Sequence, residues 1–150
     1  MYALIIFVFL RILTFSCNDV NDVRKEYNLI NSESKLESFI RKIENSDCVS
    51  FIPYQASATM MRAQYAFSPV KKLNYFNKGK NRLEEFIKKN PASVDARYVR
   101  IMIQSTIPKF LNYNSDIKND INFVRSNINK TDMPSEIKNA ILRNINNVKI

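Results

Sequence analysis

The chain has 150 residues, room for one compact domain, and a formal charge of +9 from 23 Lys and Arg against 14 Asp and Glu. With no histidine, no tryptophan and a single glycine, it lacks the parts for a Ser-His-Asp triad, a histidine-ligated metal site, a glycine-rich phosphate cradle or glycine-turn hairpins. No catalytic residue, metal site or cofactor is therefore expected, and the 45% hydrophobic content suits a folded chain rather than a disordered one. Asparagine and isoleucine are abundant, at 19 and 18 residues, a usage expected from AT-rich coding. The same bias raises the lysine count, so the positive balance is a poor sign of nucleic-acid binding.

The segment from Tyr2 to Ser16 is apolar apart from Arg11 and is followed at once by Cys17-Asn18-Asp19. It falls short of the roughly 20 residues that cross a bilayer, so 1–16 is expected to be a removable signal. The junction Leu13-Thr14-Phe15-Ser16-Cys17 resembles a bacterial lipoprotein signal, in which a small residue precedes a cysteine that becomes acylated. That resemblance implies lipidation of Cys17 and an anchor in the bacterial cell envelope, facing the periplasm or in the outer membrane. Acylated Cys17 would leave Cys48 as a buried thiol beside Val49 and Phe51. Without acylation, Cys17–Cys48 can form a disulfide across the first helix in an oxidising compartment.

The polar stretch 17–31 is expected to be a flexible tether, and 32–150 an all-helical domain. Ser34-Lys35-Leu36-Glu37 has the form of a capping box, and Leu36, Phe39, Ile40 and Ile43 follow at the spacing of a helix lying on a core. A second helix opens with Pro53 in its first turn. Its inward face reads Ile52, Ala56, Met60, Ala63 and Phe67, with alanines that let a neighbouring backbone come close. Ser68-Pro69 caps and starts a helix running to Lys89, with Leu73, Phe76, Leu83 and Ile87 on one side and Lys71, Lys78, Arg82 and Lys89 on the other. Asn90-Pro91 stops it.

Ser93 then caps 94–105, apolar almost all round except for a strip of Arg97, Arg100 and Gln104. Such a helix should be central. After the Ile107-Pro108 break, 109–114 reads as an irregular connector, with Phe110, Leu111 and Tyr113 available to pack over the core. Ile117, Ile121, Val124 and Ile128 mark another helix, and Ile137, Ile141, Ile145 and Val148 the last. No segment alternates with period two. The expected fold is all-α, about six helices arranged as antiparallel hairpins.

Residues Leu83 to Tyr98, reading LEEFIKKNPASVDARY, resemble the junction between tetratricopeptide repeats: a helix with a charged tail, an Asn-Pro turn, then an acidic-Ala-aromatic start. The resemblance implies a degenerate tetratricopeptide-like array of one to two repeats. The segment from Gln64 to Asn122, with KLxYFNKG and NPxxxxARYxR within it, also resembles small bacterial lipoproteins, a likeness that carries no activity with it.

Candidate chemistry is sparse. Oxygen side chains alternate from Asn112 to Asp120 as in a calcium loop, yet Ile117 stands where such a loop has glycine and Phe123 where it has its closing glutamate. Glu84 and Glu85 are adjacent and point apart on a helix, which does not make an acid/base pair. The two guanidinium groups of Arg97 and Arg100 must face an open groove or be paired with acids such as Glu84, Glu85 or Asp95, because unpaired burial is costly. By likeness to helical-repeat surfaces, the chain is expected to be a non-enzymatic adaptor. It would bind a peptide or protein through a groove lined by Tyr75, Arg97, Arg100 and Gln104. The alternative is a structural accessory subunit of an envelope complex, marked by an exposed apolar patch instead.

Overall fold

Side-chain caps and prolines set most helix boundaries in the computed structural model, which describes residues 17–149. The expected signal, 1–16, lies outside the described residues. The helices are α1 (Val20–Tyr27), α2 (Glu33–Ile43), α3 (Ile52–Tyr65), α4 (Pro69–Lys89), α5 (Val94–Thr106), α6 (Ile117–Asn127) and α7 (Ser135–Asn146). The described residues contain no strand, so the fold is all-α, with seven helices where about six are expected. Short 3-10 turns precede α1 and α3, occupy Lys109–Leu111 and follow α6.

The additional helix is α1, and it corrects the reading of 17–31 as a flexible tether. Val23 and Tyr27, one turn apart, are both buried. Arg24 beside them forms a two-pronged pair with Asp95 of α5, at 2.9 and 2.7 Å. Cys17, just before the helix, is joined to Cys48 by a disulfide spanning 31 residues, with Cα atoms 5.6 Å apart. Closing a loop of that length removes about 3–4 kcal/mol of conformational freedom from the unfolded chain.

Ser68 and Ser93 cap α4 and α5 as expected, accepting hydrogen bonds from the backbone N–H of Lys71 and Ala96, both at 3.2 Å. At α2 the cap is Ser32 rather than Ser34, since the Ser32 hydroxyl accepts from the Lys35 N–H at 3.3 Å. Glu37, assigned from sequence to a capping box, instead takes both prongs of Arg62, at 2.8 and 2.7 Å. Three apolar residues also depart from expectation. Phe67 lies beyond the end of α3, where Ala66 turns extended, and is fully exposed. Leu73 and Phe110 are 51% and 83% exposed rather than packed inward.

Helix α3 and helix α4 form the closest pair. Ala56 and Met60 of α3 face Gly79 of α4, so α4 runs back along α3 from the short turn at 66–68. A methyl group added at Gly79 would stand 2.4 Å from the Ala56 carbonyl oxygen and 2.9 Å from the Met60 nitrogen. The only glycine in the chain is therefore required by a backbone-to-backbone approach. Every residue from Pro53 to Ala58 is buried, which makes α3 share the central position expected of α5. Helix α5 meets α3, α4, α6 and α7, and Tyr98, Val99 and Ile101 on it are enclosed.

Three tyrosines tie these layers together. Tyr27 of α1 stacks edge-on against Tyr54 of α3 and Tyr98 of α5, with ring centroids 5.2 and 6.4 Å apart. Each hydroxyl finds a partner. Tyr27 bonds Ser57 at 2.9 Å, Tyr54 donates to Asp95 at 2.5 Å, and Tyr98 donates to Asn28 while accepting from Asn144 of α7 at 2.7 Å. Burial pushes the Tyr98 phenol up to about 12 and raises Tyr27 and Tyr54 as well.

Substituting Gly79→Ala is expected to destabilise the protein by about 2 kcal/mol, since overpacking against backbone outweighs the better helix propensity of alanine. Urea unfolding should show a lower midpoint with an unchanged slope. A midpoint equal to or above that of the parent chain would contradict the close crossing.

Candidate functional site

The strip of polar side chains on α5 is occupied from within. Arg100, 4% exposed, grips Asp120 of α6 with both prongs, at 2.6 and 2.8 Å, and donates a third bond to Glu84 of α4 at 2.8 Å. Arg97 shares the same carboxylate at 3.0 Å and lies over the ring of Phe123. Gln104 donates to Asp116 at 3.2 Å, and Asp116 also stands 3.7 Å from Arg100. Reading along α5 from 97 to 104 and along α6 from 120 to 116, the partners run in opposite chain directions, as in an antiparallel hairpin.

Burial opposes the charge of Arg100, but its hydrogen bonds to Asp120 and the charges of Asp120, Glu84 and Asp116 outweigh burial and raise its pKa above the usual guanidinium value. Burial, together with a hydrogen bond donated to Glu84, likewise raises the Tyr113 phenol. Lys80 sits 4.8 Å above the same ring. The cluster is thus a set of ion pairs joining α4, α5 and α6, buried at Arg100 and Asp120 and reaching solvent at Glu84 and Asp116.

This corrects the expected binding groove. Arg100 and Gln104 are buried, Arg97 is half-buried against Phe123 and Asp120, and among the described residues none of the three lines the groove between α3, α4 and the end of α5 or the recess at Asp95. The fourth residue, Tyr75, is half-buried on α4 and lies near Arg62, whose charge is favoured chiefly by Glu37 and further by Tyr75. It makes no hydrogen bond with the other three among the described residues. Of the acids named from sequence, Glu84 does pair with Arg100. Glu85 instead pairs with Lys89 at 2.6 Å, and Asp95 serves Arg24 and Tyr54. Asp116 and Asp120 are the partners that sequence reasoning missed. Their spacing of four residues, beside a stripe at Ile117, Ile121 and Val124, was the available signal.

Cys17, expected to be acylated, has its Sγ bonded to Cys48. A thioether-linked lipid and this disulfide draw on the same sulfur atom, and the structure contains the disulfide. Among the described residues no helix is long and apolar enough to cross a membrane, and no three potential metal ligands cluster.

An open site lies elsewhere. A groove of about 750 Å³ runs between the last turns of α3, the first turns of α4 and the end of α5 with its following 3-10 turn. Met60, Met61 and Phe76 line it, with Ile103, Ile107 and Leu111 across from them. Leu73 and Phe110 also line it, and Phe67 and Val70 lie within two residues of its lining residue Pro69 in sequence. These four are among the few large apolar side chains left exposed. A smaller recess of about 330 Å³ at the opposite ends of α3 and α4 reaches Asp95, whose carboxylate oxygens are already taken by Arg24 and Tyr54.

Comparison of the chain with protein-family models, with curated proteins and with solved structures finds no match.

Removing the shared carboxylate by Asp120→Ala leaves the buried Arg100 and the half-buried Arg97 without their shared partner, and is expected to cost about 3–5 kcal/mol of stability. Thermal and urea melts measure it. A loss below about 1 kcal/mol would mean that Arg97 and Arg100 reach solvent and that the strip is open after all.

Proposed function

We propose that this chain is a non-enzymatic helical binding protein of the bacterial cell envelope, and that its partner-contacting surface is the apolar groove at the α3–α4 turn. One observation carries the reading: the large apolar side chains Leu73 and Phe110 are left in water in the wall of a concave site of about 750 Å³, with exposed Phe67 and Val70 close to its lining residue Pro69 in sequence. Exposure of this kind in one place marks an interaction surface, whereas scattered apolar residues do not. Two methionines in the wall supply the adaptable packing found at peptide-binding surfaces. The absence of histidine and the mutual pairing of Arg97, Arg100, Glu84 and Asp120 support binding over catalysis.

The hairpins α3–α4 and α5–α6 are proposed to be a degenerate tetratricopeptide-like array. In support, the Asn90-Pro91 turn leads directly into α5, and α5 packs on both α3 and α4, as the first helix of a following hairpin does. Placement outside the cytoplasm is supported by the Cys17–Cys48 disulfide and by the apolar stretch before it in sequence. The exposed patch also supports a second reading, an accessory subunit held in a larger envelope assembly.

Replacing Phe110 or Leu73 with the photocrosslinker p-benzoylphenylalanine, in cells that make the chain natively, is expected to yield one discrete protein adduct. The same probe at Ser126, on α6 outside the groove, should yield none. Adducts from all three positions favour the assembly subunit, and none from any position rejects both readings. The compartment is checked by alkylating the denatured protein without reductant. Neither cysteine should react, while a reactive Cys48 together with a fatty-acid mass on Cys17 would replace the disulfide by a lipid anchor.

A further inference from the structure

The groove is walled by helical stripes. Met60 and Ala63 of α3 and Leu73 and Phe76 of α4 line it, each pair three residues apart along its own helix, with Ile103 of α5 and Ile107 just past the end of that helix completing the wall. Two walls built on that spacing, closed by the end of α5, offer ridges and grooves that fit a further helix presenting an i, i+3, i+4, i+7 stripe. Strand addition would need an exposed sheet edge to pair with, and the described residues contain no sheet.

The charges on the two segments that supply the groove's lining are of one sign. From Ile52 to Leu83 the sequence holds six lysines and arginines and no aspartate or glutamate, and from Ser105 to Ser115 it holds Lys109 and again no acid. These two segments supply all but one of the groove's lining residues, the exception being Ile103, and that residue is neutral. Lys72 is itself in the wall, Lys71 precedes it, and Lys109 adjoins Phe110 at the mouth. None of these three makes an ion pair among the described residues. The neighbouring carboxylates are already committed, Glu37 to Arg62 and Glu84 to Arg100.

Building on the groove reading above, we infer that its occupant is an amphipathic helix of a partner protein whose apolar stripe is flanked by acidic residues. The stripe fills the volume between α3, α4 and α5, and the flanking carboxylates meet Lys71, Lys72 and Lys109. Complementarity at such a rim raises the association rate and sets partner choice more than it adds contact energy.

The test uses the full chain and two synthetic helical peptides sharing one leucine stripe, one with glutamates and the other with lysines beside it. Fluorescence anisotropy should show the acidic peptide binding about tenfold more tightly at low salt, the effect of a few exposed charge pairs. The preference should shrink toward unity at about 0.5 M salt. Lys72→Glu with Lys109→Glu, both at exposed positions, should reverse it. Equal binding of the two peptides overturns the acidic assignment while the groove reading stands. Binding of neither overturns it as well, and the crosslinking at Phe110 then decides the groove reading by itself. Vesicles containing anionic phosphatidylglycerol serve as a competitor. If they bind the chain and displace the acidic peptide while zwitterionic vesicles do not, the surface belongs to a membrane and the inference fails.

Discussion

The contact on which the rest of the molecule depends is the meeting of two main chains at Gly79, where α4 lies against the Ala56 carbonyl and the Met60 amide of α3. Side chains elsewhere can adjust by rotating, but a backbone laid on a backbone leaves no such freedom. This contact places α4 along α3, and α3 in turn supports α2 and α5. Met60 takes part in both the crossing and the groove wall. The shape of the open site is thus inherited from the tightest point of the closed one.

Charge plays two separate roles in this chain. Inside, carboxylates act as addresses that tell helices where to dock: Asp95 brings α1 to α5, and Asp120 brings α6 to α5. A buried pair of this kind adds little net stability compared with an apolar substitute, yet losing one member leaves the other stranded. Outside, the uncompensated lysines gather on the segments that form the groove. The chain's positive excess is therefore not spread evenly, and its uneven placement carries the information that the total of +9 does not.

What could be read in the sequence was local. Ser68-Pro69, Asn90-Pro91 and Ser93 state their helix boundaries because a cap needs only neighbours in sequence. The stripe Leu36, Phe39, Ile40 and Ile43 is buried as its spacing implies. Helix α1 was illegible because few of its residues are apolar, and it is held by Arg24–Asp95 and Cys17–Cys48, both contacts to distant segments. Periodicity identified Leu73 as one face of a helix, but it does not say whether another element will cover that face. The same gap turned Arg97 and Arg100 into an expected groove, since their true partners Asp116 and Asp120 arrive only when α6 folds back.

The Tyr27, Tyr54 and Tyr98 cluster sets how the molecule meets alkali. The folded state holds the Tyr98 proton up to about 12 and the other two beyond the ordinary phenol range, while an unfolded chain releases them near pH 10. Below that point both states keep these protons, and the three tyrosines add no dependence on pH. Above it the open chain alone gains by ionising, so rising pH draws the protein apart at the rings that fill its centre. Base acts on this fold as a denaturant aimed at its middle rather than its rim.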